Sequence, residues 1–425
     1  MRFSGKVANA ALAPGVLVLG AIALWFVLNR VGGAYVFESG SGYEALSPAA
    51  NELIARAYED IDRRRLLDLH VHVIATGTSC RECFVHPDFL SNLNPLKHMR
   101  FRVYASAAGI NDFEQADEQY MERLTGLAGQ IRGHGRYVIL AFDRFFNPDG
   151  SLNLARSEFY VSNDYVLSLA AARPDLFVAA ASVHPRRSDA LQELTRVRNA
   201  GVRIIKWLPN AMGIDPADPR NGPYYDRMRQ LGLVLLSHAG DEAAVESDQT
   251  QGFGNPLLLR SALDHGVTVV IAHCASLGRG RDLDRADTPL VSNFDLFLRL
   301  MQEPRYKGHV FGEISAMLQF NRLGQDLHDS PVARVLLDSE LQKRLVNGSD
   351  YPLPAINIVV RTGMIRDAGF ITDAERETLN EIYRYNPLLF DFVLKRTLRH
   401  PENANARLAA SIFMVPNSWE MTPNP

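Results

Sequence analysis

The sequence has little cysteine, little lysine and no excess of positive charge. Its 425 residues include only three cysteines, which excludes a disulfide-rich scaffold. The formal net charge is −3, so the chain lacks the basic field that nucleic-acid binding requires, and we expect no nucleic acid as a partner. Lysine accounts for only six of the 45 basic residues, so a lysine in an unusual position is informative. The 47% share of hydrophobic residues excludes a mainly disordered chain.

A single long apolar run occurs, at residues 10–28, and it contains no charged residue. As a helix it would span about 28 Å, close to the thickness of a bilayer core. Arg2 and Lys6 precede the run, which by the positive-inside rule places the N-terminus in the cytoplasm and the rest of the chain on the periplasmic or extracytoplasmic side. We therefore predict a single-pass membrane anchor at residues 1–31. A cleaved signal peptide, with a cleavage site near residues 32–34, and a buried core helix are the alternatives, and the length of the run favours the anchor.

The rest of the chain alternates between strand-like and helix-like patterns. Residues 32–64 are predicted to be a linker and a lead-in helix that Ser47 caps. Helical patterns then separate eight short apolar runs, which are residues 66–73, 137–142, 177–183, 202–208, 233–237, 267–272, 309–314 and 345–347. This alternation predicts a (β/α)8 TIM barrel over residues 65–398, with helices after residue 350 (including 373–394) wrapping it and a loosely ordered tail at 399–425. A doubly wound open sheet is the runner-up, but no Gly-rich phosphate loop follows the first strand.

Polar residues stand at the ends of these predicted strands. In the first strand His70 and His72 are two residues apart, so both imidazoles point to the same face. Because the carboxyl ends of barrel strands meet at one mouth, we expect further strand-end residues to join them. Singly, each has a common structural explanation, since a lone histidine is most often a hydrogen-bonded core or surface residue. Together they predict a metal site that comprises His70, His72, Lys206, His238, His273 and Asp350.

These residues and their surroundings resemble the amidohydrolase superfamily of metal-dependent hydrolases. The similarity extends over residues 66–352 and is closest to the branch that contains decarboxylases and lactonases. It is carried by the six residues above and by the stretches 206–210 (KWLPN), 237–242 (SHAGDE) and 348–352 (GSDYP). The resemblance implies a TIM-barrel enzyme with a divalent metal cofactor, for which zinc is the expected ion, and a small-molecule substrate.

The expected chemistry is activation of a metal-bound water for attack on a carbonyl carbon. His70, His72, Asp350 and either His238 or Lys206 would hold the metal. Asp350 would act as general base and then general acid, and His273 would orient the water or stabilise the oxyanion. If Lys206 is carboxylated, it bridges two metals, with His238 and His273 on the second. If Lys206 is a free amine, one metal is bound, and this one-metal arrangement is favoured. Lys206 would then act as an electrophile or anchor the substrate.

Other polar residues near strand ends are weaker candidates. These candidates lie where they could contact a group of the substrate, and they are Arg144, His184, Arg279 and Glu313. Each could equally form a salt bridge at the rim of the barrel or cap a helix. Cys80 and Cys83 are too few for a zinc knuckle, and in an oxidising compartment a loop disulfide is the simpler hypothesis. Cys274 is expected to be a buried apolar residue.

Three functions follow from this interpretation. The first is a membrane-anchored metal-dependent hydrolase of an ester, lactone or amide. The second keeps the same site but performs non-oxidative decarboxylation. The third is a non-enzymatic, membrane-tethered barrel that binds a ligand, which the complete ligand set argues against. Self-association into a homo-oligomer stays open.

Overall fold

The computed structural model describes residues 15, 18–20, 22–23, 45–131, 133, 135–245, 247–323, 326–416 and 419. The predicted membrane anchor at residues 10–28 lies mostly outside them. Among the described residues no helix combines the length and the apolar character that crossing a membrane requires. The anchor and the topology derived from it therefore stay predictions.

Eight parallel strands form the centre of the molecule, as the sequence predicted. We number them β1 to β8, and their bounds are Leu67–His72, Arg136–Leu140, Phe177–Ala180, Ile204–Trp207, Val234–Ser237, Thr268–Ile271, Val310–Glu313 and Leu345–Val346. Each corresponds to one of the eight apolar runs. Buried on both sides, they consist mainly of branched and aromatic residues, which is the composition that parallel strands require.

The strands close into a barrel. Strands β1, β2 and β3 pair in that order, and β4 to β8 pair in sequence order. A parallel bridge between Ala181 and Ile205 joins β3 to β4, and a second between Val71 and Tyr351 joins β1 to the end of β8. The backbone N–H of Leu69 also donates to the carbonyl of Asn347 at 3.0 Å. This closure identifies a TIM barrel and excludes the open doubly wound sheet.

The barrel interior is filled by side chains and closed at one end by the C-terminal segment. Leu69, Val138 and Val270 belong to the interior cluster, as does Trp419, whose ring lies 5.3 Å from that of Phe311. The N–H of Val415 donates to the carbonyl of Arg65 at 2.8 Å, just before β1. The described part of the predicted tail is thus packed against the amino end of the barrel, and its expected looseness was wrong there. The apolar surface of Trp419 supplies the reason.

Helices surround the barrel. In the described residues their bounds are Pro48–Ala57, Pro87–Leu90, Pro95–Ala107, Ala116–Gln130, Asn163–Ala172, Ala190–Asn199, Pro209–Met212, Gly222–Gln230, Arg260–Asp264, Asn293–Gln302, Pro331–Leu337, Ser339–Gln342, Thr362–Asp367, Asp373–Tyr385 and Pro387–Thr397. Two short antiparallel strand pairs extend from the loops, and they are Phe84–Val85 with Phe159–Tyr160 and Arg279–Arg281 with Leu290–Ser292. The predicted cap is present, since the Ser47 side chain accepts from the N–H of Ala50.

The wrapping helices differ from the prediction at one point. Residues 373–394 were expected to be one helix, but it breaks at Asn386. Pro387 has no N–H to donate to the preceding turn, and the Asn386 side chain caps the new helix by accepting from the N–H groups of Leu388 and Leu389. Both resulting helices contact the lead-in helix Pro48–Ala57, which they hold against the barrel.

Candidate metal centre

Strand β1 supplies two histidines to the mouth of the barrel, which is the carboxyl end of its strands. His70 is fully buried and His72 half-buried. Their Nε2 atoms are 3.1 Å apart, as expected for alternate residues of one strand. Asp68 precedes them on the same strand, and its carboxylate accepts from the N–H groups of His70 at 3.1 Å and Ser349 at 2.8 Å. Asp68 therefore joins β1 to the loop after β8.

That loop carries Asp350 in a strained conformation. Its φ is +61°, in the left-handed region that non-glycine residues rarely adopt, and its N–H donates to the carbonyl of His70 at 2.7 Å. Oδ1 of Asp350 lies 3.1 Å from Nε2 of His72 and 3.5 Å from Nε2 of His70. Gly348 permits this approach, because a Cβ there would lie only 2.6 Å from Oε1 of Glu313 and 2.7 Å from Cβ of His70.

The three convergent atoms have the spacing of a metal's ligands. Atoms bound about 2.1 Å from one tetrahedral ion lie about 3.4 Å from each other. The separations among His70, His72 and Asp350 are 3.1, 3.1 and 3.5 Å. His238, at the end of β5, is buried with an Nε2 atom that has no hydrogen-bond partner among the described residues. The ring of His238 lies 5.1 Å from that of His273, which in turn lies 5.1 Å from that of His70, so His238 belongs to the same mouth but not to the three-atom cluster. The spacing of the three clustered atoms fits a divalent metal.

Lys206, on β4, is the fourth predicted component, and the structure brings it to the same point. It is 1% exposed, and its Nζ lies 3.1 Å from Nε2 of His70. Burial lowers the pKa of Lys206 to about 8, although the charges of Asp350, Glu313 and Glu242 oppose the shift. Near neutral pH this amine is mostly protonated and can donate hydrogen bonds, while the lowered pKa gives it a minor neutral fraction that can ligate or react.

Glu313 lies at the end of β7, on the predicted strand, and contacts a histidine of the candidate metal site. Its Oε2 accepts from Nδ1 of His70 at 3.0 Å and from the hydroxyl of Ser315 at 2.7 Å. The same hydroxyl lies 2.8 Å from Nδ1 of His273, the histidine after β6. Burial raises the pKa of Glu313 to about 7. Glu313 thus holds His70 in orientation, and its predicted contact with a substrate stays a prediction.

These contacts fix the tautomers of two histidines. With Glu313 ionised, His70 must donate through Nδ1, which leaves a lone pair on Nε2. Ser315 donates its proton to Glu313 and so accepts from Nδ1 of His273, which leaves the Nε2 lone pair of His273 free as well. Burial lowers the pKa of His70, His238 and His273 well below the usual value, with further contributions from the charges of Lys206 and Arg322. All three rings are therefore neutral, which is the form that binds metal.

Three residues of the mouth were missed by the sequence analysis. Glu242 lies 3.6 Å from Nε2 of His238, and burial raises its pKa. Arg322, on the loop after β7, is 7% exposed and forms no ion pair with a described carboxylate; its guanidinium donates to Ser276 at 3.3 Å and to Gln319 at 3.4 Å. Tyr104, on helix Pro95–Ala107, lies near Glu242 and Asp350, whose charges add to burial in raising its pKa. Glu242 stands in a stretch already singled out, whereas no sequence pattern marks the other two.

The remaining predicted substrate residues have contacts elsewhere. The guanidinium of Arg144 stacks 4.3 Å over the ring of Tyr160. His184 uses both ring nitrogens on the backbone: Nε2 contacts the carbonyl of Met212 at 3.1 Å, and Nδ1 accepts from an N–H at 3.0 Å. Arg279 is exposed in a hairpin. None of these contacts involves the metal ligands, and their roles toward a substrate stay predictions.

The structure shows the bonding state of all three cysteines. Cys80 and Cys83 form a disulfide in the loop after β1, and both are buried. Cys274 is free and buried, as predicted.

The chain was compared with known proteins. The family model described as amidohydrolase matches residues 67–388. An uncharacterised TIM-barrel protein from Bordetella bronchiseptica is 17% identical with a TM-score of 0.42, over 68% of this chain and 86% of that one. A 5-carboxyvanillate decarboxylase from Sphingomonas paucimobilis is 13% identical with a TM-score of 0.41, over 76% and 100%. A 4-oxalomesaconate hydratase from Rhodopseudomonas palustris is 13% identical with a TM-score of 0.37, over 78% and 93%. No curated protein matches. Similarity of this degree assigns neither a substrate nor a reaction.

Proposed function

The chain belongs to the amidohydrolase family, and on that premise we propose that it is a metal-dependent hydrolase of an ester, lactone or amide in a small organic substrate. The observation that carries the proposal is the convergence of His70, His72 and Asp350 at ligand spacing, with the ring of His238 in the same mouth. When bound, a divalent ion at this point would lower the pKa of water and polarise the substrate carbonyl.

Asp350 is the proposed proton carrier. Its Oδ1 contacts both β1 histidines, which leaves Oδ2 to accept a proton from the attacking water and return it to the leaving group. The strained backbone at Asp350 fits this role, since strained residues concentrate at functional sites.

His273 is proposed to act on the attacking water, and Lys206 on the oxygen of the substrate carbonyl. The free lone pair on Nε2 of His273 can accept a hydrogen bond, so the ring is suited to orient water rather than to donate to an oxyanion. Lys206 and Tyr104 can donate, and they are the groups that would stabilise negative charge on the substrate oxygen.

Non-oxidative decarboxylation at the same centre is the second candidate, and Arg322 is the observation that favours it. A buried guanidinium has lost its hydration, and although the charges of Asp350 and Glu242 act on Arg322 from a distance, no described anion is in direct contact with it. A substrate carboxylate at the mouth would supply that anion through a bidentate contact. The two reactions differ in product, because hydrolysis yields a new carboxylic acid or amine and decarboxylation yields carbon dioxide.

Metal analysis is the experiment that tests the shared premise. Protein purified without chelator should contain about one equivalent of tightly bound divalent metal, and less than about half an equivalent would contradict both reactions. His72→Ala should lose the metal. His265→Ala is the matched control, because His265 pairs with Asp226 at 3.0 Å on the outside of the barrel, and it should retain the full content. Metal-loaded enzyme is then tested with lactones, esters, amides and unsaturated or aromatic acids, while acid and carbon dioxide release are followed together.

We propose separately that residues 10–28 anchor the enzyme, with the barrel on the extracytoplasmic side. A reporter that is active only in the periplasm, fused after Pro425, should be active; activity of a cytoplasmic reporter alone would reverse the orientation.

A further inference from the structure

The C-terminal helices enclose a cavity of about 500 Å³ that the proposed reaction does not use. It lies between the loop before helix Thr362–Asp367 and the helices that follow it. Three arginines line it, together with amide and hydroxyl side chains, and no acidic residue does; the polar lining residues are Arg361, Arg376, Arg384, Asn357, Asn380 and Thr362. Its volume is in the range of small-molecule sites.

The three arginines lack the partners that neighbouring arginines have. Arg366, on an adjoining helix, pairs with Asp367 at 2.6 Å, and Arg399 pairs with Glu375 at 2.9 Å. Within the part of the chain that the structure describes, Arg361, Arg376 and Arg384 form no ion pair. Arg361 and Arg384 are exposed to solvent and Arg376 is half-buried, so the cavity gathers three guanidinium groups that are not engaged in a described ion pair.

The geometry around Arg376 indicates that its guanidinium is aimed into the cavity rather than bound to the protein. Its Nε is buried and has no hydrogen-bond partner among the described residues. Gly363 packs against the guanidinium at the cavity wall, since a Cβ there would lie 3.8 Å from that nitrogen. A buried donor without a partner is unfavourable, so a ligand that accepts a hydrogen bond from it is favoured.

A second arginine is held in place by an aromatic ring. The guanidinium of Arg361 lies 4.2 Å over the ring of Phe320, and its Nε donates to the carbonyl of Ile358 at 3.3 Å. These contacts fix the plane of the group and leave its terminal nitrogens free of described partners. A preoriented guanidinium loses little conformational entropy when it binds an oxyanion.

We propose that this cavity binds a phosphate dianion, as the headgroup of a phosphorylated small molecule or lipid. Guanidinium groups bind phosphate oxygens in bidentate pairs, and Asn357, Asn380 and Thr362 add neutral polar groups beside them. A doubly charged ligand compensates the three arginines better than a single carboxylate does. Two sources fit this chemistry, because helix Asp373–Tyr385, which carries Arg376 and Arg384, also contacts the lead-in helix that follows the predicted membrane anchor.

Calorimetric titration of the full chain with inorganic phosphate, at constant ionic strength, tests the site. We expect saturable binding at one site per chain, and Arg376→Gln and Arg384→Gln should each weaken it about tenfold or more, since each removes a charge-assisted contact. Arg376→Lys keeps the positive charge but loses the planar guanidinium that can form two parallel hydrogen bonds to phosphate, so it should weaken binding as well. Arg64→Gln is the matched control, because Arg64 is exposed and distant in the fold, and it should bind like the wild type.

A second titration with a short-chain, soluble phosphatidic acid distinguishes the two sources. Tighter binding than inorganic phosphate, lost in Arg376→Gln, would identify a lipid headgroup; equal or weaker binding would identify a soluble phosphorylated ligand. The proposal is overturned if the wild type shows no saturable binding of either probe, or if the cavity variants bind as tightly as the wild type. Thermal melting of each variant confirms that it is folded, and Arg376 has no described bond whose loss would unfold it.

Discussion

Replacement of Glu313 by glutamine should weaken metal binding without touching a ligand atom. The Glu313 carboxylate accepts from Nδ1 of His70 at 3.0 Å and from the hydroxyl of Ser315 at 2.7 Å, and its other oxygen accepts from the N–H of Ser315. A glutamine side chain has one oxygen and one NH2 group. In either orientation of the amide, its NH2 group faces a donor of His70 or Ser315, so at least one hydrogen bond is lost.

The size of the effect follows from the number and kind of bonds. A hydrogen bond to a charged group contributes about 1.5–3 kcal/mol, and loss of the group that orients a metal-binding histidine costs about 10–100-fold in affinity. These two figures agree, since 10–100-fold corresponds to about 1.4–2.8 kcal/mol. We therefore expect the dissociation constant for zinc to rise by about 10–100-fold in Glu313→Gln.

Competition with a chromophoric chelator measures that constant on metal-free protein. The matched control is Glu193→Gln, since Glu193 is also a buried glutamate and is bonded to Arg196 and Asn163 on an outer helix. Zinc affinity within twofold of the wild type in Glu313→Gln would refute the assigned role. Equal weakening in both variants would show that any buried glutamate change disturbs the site.

Three further predictions concern turnover, pH and thiols. Asp350→Asn should keep the fold and lower turnover by orders of magnitude, and unchanged kcat in a steady-state assay would remove its role as proton carrier. Burial raises the pKa of Asp391 to about 6 despite its pairing with Lys395 at 2.6 Å, so its contribution to stability is present at acid pH and is lost as pH rises through about 6. The free energy of unfolding of the wild type minus that of Asp391→Asn should accordingly fall between pH 4 and 7 in urea titrations, and a constant difference would contradict this. Thiol titration of the denatured chain should give one thiol before reduction and three after it, and three at the outset would exclude the Cys80–Cys83 disulfide.

The barrel and its ligands could be predicted from the sequence because both depend on local patterns. Each buried parallel strand is a short apolar run, and each ligand stands where such a run ends, so the strand count and the convergence of His70 with Asp350 followed together. The break at Asn386 escaped the same reasoning. The apolar pattern continues through it, and the effect of Pro387 on one backbone bond outweighed the periodicity.

The residues that shape the rest of the mouth could not be predicted, for a different physical reason. Arg322 and Tyr104 reach it from a loop and from an outer helix, and nothing in their local sequence fixes that approach. Glu313 was predicted as a site residue but its contact with His70 was not, because that contact depends on how β1 and β7 face each other across the barrel. Long-range side-chain contacts of this kind are set by tertiary packing rather than by strand periodicity.

The position of Lys206 bears on the number of metals that we propose. As a plain amine it already lies 3.1 Å from Nε2 of His70, the atom that would face the metal. Carboxylation would add a carbon and two oxygens at that contact, so His70 or Lys206 would have to move. His70 is held from the opposite side by Glu313, and Lys206 is fixed in β4, whose backbone bonds to the neighbouring strand at 2.7 Å. Movement of His70 would break its contact with Glu313, and movement of the Lys206 amine would require a different side-chain rotamer. The arrangement therefore favours a single metal, with Lys206 free to contact the substrate. It also explains why this strand end carries a lysine and not an arginine, because only lysine can become neutral when buried.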